Sequence, residues 1–297
     1  MHAGNEGRCS AVQIEPLPRE TIESVVAAAL DEDHAHDDAT SLAVVDLRLY
    51  GTGRFVAKQD GVLAGMSVAE TAFRLIDPTV TLQPLIGEGQ PFGSGDVLAE
   101  VSGPARGILQ AERVALNFLQ RLSATATLTR AFVDAVAGTG AVILDTRKTT
   151  PGLRELDKYA VRCGGGVNHR SNLATMAMIK DNHREALARA GKTLAEGVAL
   201  IRQRKPGVAV EVEVDGLDEL DAALEGQPEW ILLDNMSPAD MAEAVRRVAG
   251  RAKLEASGGV TLESVRAAAE SGVDAISIGA LTHSATALDI SLDLQFD

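Results

Sequence analysis

The sequence predicts an α/β protein in two parts, a small α+β domain followed by an α/β barrel. Three observations predict it. Apolar strand-like runs recur after residue 140, several of them separated by helical segments, the alternation that builds a parallel sheet covered by helices. Each run ends on polar residues, so polarity gathers at the C-terminal strand ends, the rim where α/β barrels carry their chemistry. The single Gly-rich fingerprint that follows the first strand of a dinucleotide-binding sheet is missing. Six runs fit either an open doubly wound sheet or a barrel, and the strand-end polarity favours the barrel.

The elements follow in order. Residues 18–30 (PRETIESVVAAAL) have the apolar spacing of an amphipathic helix, with Pro18 near its start. DEDHAHDDATS (31–41) reads as a polar loop. Its His and Asp residues lack tetrahedral ligand spacing, so a solvated turn is favoured over a metal site. GRFVAKQDGVLAG (53–65) and VTLQPLIGEGQPFGSGDVLAEVSG (80–103) are short strands broken by Gly and Pro, with a helix, SVAETAFRLI (67–76), between them. Residues 105–138 form one or two long helices that Gly138 ends. The barrel strands are expected at 142–148, 177–182, 210–215, 230–235, 253–259 and 275–280, with helices at 193–204, 217–226, 238–250 and 261–272. ALDISLDLQF (287–296) alternates like an extra strand that returns to the N-terminal domain.

Composition narrows the function. The chain has 297 residues, 45% hydrophobic but only 3% aromatic, so a large core must pack on Ala, Val, Leu and Ile. The net charge of −14 argues against nucleic acid or an anionic membrane as partner. No run of about 18 apolar residues suggests a membrane span. Cys9 and Cys163 are the two cysteines, which suits a reducing cytoplasm.

Against that acidic background, residues 145–184 hold eight Lys or Arg and four Asp or Glu. Such concentration beside two histidines suggests a pocket for a small, multiply charged anion. Arg147 and Lys148 leave the first strand together, and His169, Arg170 and Lys180 add charge to the same rim. A guanidinium grips a carboxylate with two parallel hydrogen bonds, and lysine acts as a mobile point charge. Arg154, Lys158 and Arg162 lie at helical spacing beside Glu155 and Asp157, and read as a solvated helix face. Gly164-Gly165-Gly166 is either an anion loop or a hinge.

Glu213 and Asp234 end consecutive strands, where carboxylates hold Mg²⁺ or sugar hydroxyls. Period-two geometry turns Glu211 to the same face as Glu213, which leaves the choice between them open. Ser257-Gly258-Gly259 and Gly279-Ala280 follow the last two strands, where barrels bind phosphate through backbone N–H groups. His283 lies just beyond, as an anion ligand or a helix cap. Together these groups fit electrostatic and positional catalysis on a phosphorylated sugar and an anionic partner.

DTRKTTPGLRELDKYAVRCGGGVNHR, IKDNH, EVEVD, LLDN, ASGGV and IGALTHS, in that order, closely resemble the quinolinate phosphoribosyltransferase family over about residues 20–293. The resemblance implies transfer of phosphoribose from phosphoribosyl pyrophosphate to quinolinate with decarboxylation. The products are nicotinate mononucleotide, pyrophosphate and CO₂, and Mg²⁺ is required. It implies an N-terminal α/β sandwich domain, residues 1–118 joined by 286–297, and an open α/β barrel of fewer than eight strands over 119–285. It implies a homodimer or hexamer in which Arg113 enters the partner's active site. By motif, Arg147, His169, Arg170 and Lys180 would bind the quinolinate carboxylates, and Lys148 with His283 would face pyrophosphate. Glu213 and Asp234 would hold ribose and Mg²⁺, and Ser257, Gly258 and Gly279 would cradle the 5′-phosphate. Intact Arg147, His169, Arg170 and Lys180 set the chain apart from the related molybdenum-transport-associated family. Two departures are Ser123-Ala124, where the family has Ser-Gly, and the 171–178 segment, which lacks a usual Gly.

Overall fold

The computed structural model describes residues 14–297, and Cys9 lies outside the described residues. Helix α1 (Arg19–Glu32) starts after Pro18 and buries Ile22, Val26 and Leu30 along one stripe. The stretch expected as a polar loop contains a second helix, α2 (Ala39–Val44). The Asp38 carboxylate accepts the N–H groups of Thr40 and Ser41 at 2.9 and 3.1 Å, so this acid caps a helix. Then come β1 (Tyr50–Ala57), β2 (Gly61–Val62), α3 (Met66–Ile76), β3 (Thr81–Pro84), β4 (Pro91–Phe92) and β5 (Val97–Pro104). The next helix, α4 (Ala105–Ala135), is one continuous rod of 31 residues.

The barrel segment follows as β6 (Val142–Leu144), α5 (Arg154–Cys163), β7 (Ala177–Ile179), α6 (Asp181–Arg189), α7 (Leu194–Arg204), β8 (Val210–Val214), α8 (Leu220–Glu225) and β9 (Trp230–Asp234). It continues as α9 (Pro238–Val248), β10 (Lys253–Ser257), α10 (Val265–Glu270), β11 (Ala275–Ser277) and α11 (Ala280–His283), and the chain ends in β12 (Ile290–Phe296). Helix α6 has no counterpart among the expected elements. The His183 ring accepts the backbone N–H of Lys180 at 3.1 Å and ties its first turn.

β12 pairs antiparallel with β1, as its alternation predicts, and completes a four-stranded sheet in the order β12-β1-β5-β3. The six parallel strands lie in the order β6-β11-β10-β9-β8-β7. The first strand therefore pairs with the last while the others keep sequence order, which is the topology of a barrel. Beyond β6 its neighbour is Val167, bridged to Leu144, rather than β7, so the barrel is open along that seam. Among the described residues no helix is long and apolar enough to cross a membrane.

Two apolar cores result, and α4 serves both. Leu116, Leu119 and Leu122 pack into the N-terminal core, and Phe132 packs under the barrel. The outward row of the barrel strands, including Val210, Val212, Val214, Ile231, Leu233, Leu254 and Ile276, is buried under the helices. Strand geometry sends alternate residues the other way. The inward row is unusually polar: Glu211, Glu213, Asp234, Glu255, Ser257 and Ser277. A parallel strand covered on both faces is ordinarily apolar throughout, so charged residues in that row mark the lumen as the functional interior.

The glycine triplet, read as an anion loop or a hinge, lies outside the cavity lining in close packing. A Cβ on Gly164 would lie 2.5 Å from Thr129 Cβ, and one on Gly166 would lie 2.7 Å from Val161 Cγ1 and 2.8 Å from Thr129 Cγ2. Gly165 has φ +91°, which favours glycine. The triplet lets the end of α5 close onto α4. Gly164→Ala is expected to destabilise the fold by about 1–3 kcal/mol through overpacking. Chemical denaturation tests this, and an unchanged midpoint would contradict it.

Candidate active site

A cavity of about 610 Å³ opens at the C-terminal ends of the barrel strands. Its walls carry Arg147, Lys148, His169, Arg170 and Lys180 together with Glu213 and Asp234. Ser257, Gly258 and Gly259 line the same cavity. Among the described residues, Arg147, Lys148 and Arg170 form no ion pair, and buried Arg147 Nε has no hydrogen-bond partner. Arg170 donates to Met176 O at 3.0 Å and meets Met178 Sδ at 3.4 Å. Burial and the Arg147 charge push the Arg170 guanidinium below its usual range. Like charges held together beside an unspent donor suit an anion between them. Lys180 instead pairs with Glu213 at 2.8 Å, and its side chain remains 44% exposed.

The helix face read as solvated is in fact the scaffold of this grip. Lys158 is buried and ion-paired with Asp145, which is fully buried at the end of β6. Burial pushes Asp145 up and Lys158 down, and the contact between them opposes both shifts. Lys158 also donates to His169 O at 3.1 Å, and Asp145 accepts the His169 N–H at 2.8 Å. Asn168 donates to Asp145 at 2.6 Å and receives Arg162 at 2.6 Å. Arg154 reaches Thr149 Oγ1 at 3.1 Å and Ser171 O at 3.2 Å. Every one of these bonds fixes the segment that carries His169 and Arg170, or the loop after β6.

His169 lies at the cavity floor, its side chain 7% exposed. Its Nε2 stands 3.1 Å from Glu255 and 3.2 Å from Glu211, both buried, and its Nδ1 accepts the Arg170 N–H at 2.7 Å. Burial opposes charge on the ring, yet Glu211 and Glu255 prevail and push His169 up to about 9. Burial, with Glu255 adding to it, pushes Glu211 up to about 7. These two shifts place the shared proton differently. The 2.7 Å bond decides, because a ring protonated on both nitrogens would turn an N–H against the Arg170 N–H. That bond orients the ring so that Nε2 faces Glu211 and Glu255. Nδ1 is thereby committed to the protein, whereas Nε2 faces the two carboxylates and both Glu211 oxygens lack a hydrogen-bond partner. His169, expected as a carboxylate ligand, lines the cavity and also supports the Arg170 backbone through Nδ1.

Glu211 also predicts a pH effect. Its folded pKa of about 7 lies above the ordinary 4.5, so the native state binds the proton more tightly than the unfolded state. Stability from this group is full below pH 4.5 and falls as pH rises toward 7. Glu211→Gln removes that loss. Its melting temperature relative to the parent should climb between pH 5 and 7, and a difference independent of pH would refute the burial argument.

On the acidic side, the Asp234 carboxyl is raised by burial and then by Glu213. Asn235 Nδ2 donates to it at 2.7 Å. Two carboxylates that repel each other at a cavity wall, with oxygen donors only, suit a hard divalent cation such as Mg²⁺. Gly258, at φ +92°, is required: a Cβ there would lie 2.9 Å from the Asn235 backbone nitrogen. Gly279 and His283 stand outside the cavity lining, against Lys148. A Cβ on Gly279 would lie 3.0 Å from Lys148 Cδ and 3.1 Å from His283 Nε2. Arg113 is exposed on α4, away from its own cavity. Ser123, in the departing Ser-Ala pair, accepts the Ala64 N–H at 3.1 Å and donates to Ala64 O at 3.2 Å. Asp145, Lys158, Asn168 and Glu255 were not singled out as site residues from the sequence. The available signal was an acid in the middle of a barrel strand, which describes Glu255, and an acid leading the basic DTRK run, which describes Asp145.

Two family models match the chain, the N-terminal domain of quinolinate phosphoribosyl transferase over residues 38–123 and its C-terminal domain over 125–293. A nicotinate-nucleotide pyrophosphorylase [carboxylating] of Mycobacterium leprae is 44% identical over 277 residues, covering 91% of this chain and 95% of that one. A mitochondrial quinolinate phosphoribosyltransferase [decarboxylating] of Nicotiana glauca is 41% identical over 306 residues, covering 97% and 87%. Among solved structures, the nicotinate-nucleotide pyrophosphorylase of Francisella tularensis superposes with a TM-score of 0.88 at 36% identity, covering 96% of this chain and 99% of that one.

Proposed function

Because the chain belongs to the quinolinate phosphoribosyltransferase family, we propose that its barrel cavity is where the family reaction takes place and assign the residues below to it. The chain is an enzyme of NAD biosynthesis. It transfers phosphoribose from phosphoribosyl pyrophosphate to quinolinate and releases pyrophosphate and CO₂, leaving nicotinate mononucleotide.

Arg147, Arg170 and Lys180 grip the two carboxylates of quinolinate. What supports this is their convergence on one cavity, with Arg147 and Arg170 unpaired and Arg147 Nε buried without a partner. The grip turns the ring nitrogen toward the anomeric carbon, and the closeness removes much of the entropic barrier. Lys148, with His283 beside it, faces the leaving pyrophosphate and balances its charge. Ser257, Gly258 and Gly279 cradle the 5′-phosphate through backbone N–H groups near the last two strand ends. Glu213 and Asp234 hold ribose hydroxyls and Mg²⁺, whose chemistry when bound is to neutralise phosphate oxygens. The same carboxylates stabilise the developing positive charge on the sugar. Glycosylation makes the ring nitrogen cationic, so the electrons left by the departing carboxylate are stabilised on the ring and CO₂ leaves. No covalent enzyme intermediate is required.

Arg113, exposed on α4, is assigned to the partner's site in a homodimer or hexamer. A cytoplasmic location suits Cys163, a free and buried thiol. Incubation of the full chain with quinolinate, phosphoribosyl pyrophosphate and Mg²⁺ tests the reading. Nicotinate mononucleotide, CO₂ and pyrophosphate should appear in equal amounts, and their absence would overturn it.

A further inference from the structure

Arg121 lies on α4, the helix shared by both cores, and it is not among the cavity-lining residues. Its Nη2 donates to Thr150 Oγ1 in the loop after β6, and reaches Asp157 Oδ1 at 3.4 Å and Thr282 O at 3.3 Å. Asp157, fully buried on α5, accepts the Thr150 N–H at 2.9 Å, so the carboxylate and the guanidinium hold the same loop residue. Thr282, on α11, donates its hydroxyl to Lys148 O at 2.7 Å. Lys148, Gly279 and the His283 ring meet on the other side of this knot. β6 and β11 are hydrogen-bonded neighbours, followed by the loop that carries Lys148 and the short helix α11 that carries His283. One guanidinium therefore clasps the first and the last strand-to-helix loops of the barrel.

We propose that Arg121 is a positioning residue for the pyrophosphate half of the reaction, setting Lys148 against His283 by clasping Thr150 to the Thr282 carbonyl. This rests on the reading of Lys148 and His283 as the cations that face pyrophosphate. A guanidinium suits the task because it stays charged and its planar Nη2 reaches acceptors on three separate elements. The chemistry is local to one half of the cavity. The quinolinate grip is held by a different network, through Asp145, Lys158 and Asn168.

The test is initial-rate kinetics on Arg121→Gln and Thr282→Val with each substrate varied in turn, pyrophosphate added as product inhibitor, and melting temperature measured alongside. In both variants the KM for phosphoribosyl pyrophosphate and the inhibition constant for pyrophosphate should rise about tenfold, with the quinolinate KM within about twofold of the parent. A merely structural role would not separate the two substrates. Equal losses for both substrates, or an unchanged KM for phosphoribosyl pyrophosphate, would overturn the clasp. If Arg121→Gln fails to fold, Thr282→Val decides by the same criteria, since it removes only the hydroxyl's bonds to Lys148 O and Gly279 O. Lys148→Ala separates the levels. An unaffected Lys148→Ala enzyme would overturn the underlying reading, whereas a crippled one beside silent Arg121 and Thr282 variants would overturn the clasp alone.

Discussion

Arg170→Ala is expected to lower kcat/KM for quinolinate by about two to three orders of magnitude while the protein stays folded. Removing one partner of a desolvated charge pair costs about 3–5 kcal/mol, and about 1.4 kcal/mol is a decade in rate or affinity. On the proposed reading the partner is the substrate, since Arg170 has no carboxylate of its own at ion-pair distance among the described residues. The fold should tolerate the change, since Arg170 spends only a carbonyl and a thioether contact on the protein. Its crowding against Arg147 also ends, which offsets part of that loss. Steady-state kinetics with a melting curve checks both halves. The KM for phosphoribosyl pyrophosphate should move little, because the pyrophosphate side has its own cations.

Lys158→Ala is the largest expected loss of stability. It leaves Asp145 buried without its cation, and an uncompensated buried charge costs about 3–5 kcal/mol. For a chain of this size that corresponds to a fall in melting temperature on the order of 10 °C. Activity should fall too, because Lys158 also holds the His169 carbonyl. The double variant Asp145→Asn with Lys158→Met distinguishes the two effects. It removes both charges at similar volume, and such replacements are often neutral for stability. Stability should return in large part, while quinolinate turnover should not, since the bond to the His169 carbonyl stays broken. Equal recovery of both would show that Lys158 does nothing beyond stabilising the fold.

The sequence pattern carried the architecture well where one element decided its own identity. The alternation in 287–296 announced a strand, and β12 pairs with β1 along its length. The apolar runs ending in polar residues announced a rim, and Arg147, Arg170, Lys180, Glu213 and Asp234 meet there. What stayed hidden depends on partners brought from distant segments. Lys158 and Arg162 sit among acids at helical spacing, the pattern of a solvated face. Their real partners, Asp145 and Asn168, flank α5 in sequence but face it only once β6 and the 167–170 segment lie side by side. Periodicity put Glu211 and Glu213 on one face without distinguishing them. The lumen has layers, so Glu213 reaches Lys180 at the rim while Glu211 meets His169 below it. The glycine triplet read as functional because glycine is common at phosphate loops. Only the approach of α4 to α5 shows that it is packing.

His169 lines the cavity, where resemblance assigns it to quinolinate, and it has a second part in the geometry. Its ring faces Glu211 and Glu255 and receives the Arg170 N–H, which makes it a strut beneath the grip. The cations above it do the binding, and that is the central claim. A crystal structure of the enzyme with quinolinate tests it most directly. The two carboxylates should lie on Arg147, Arg170 and Lys180, with Lys180 drawn away from Glu213 and His169 still facing Glu255. Quinolinate bound outside the barrel cavity, or held through His169 Nε2 with Arg170 uninvolved, would contradict the account.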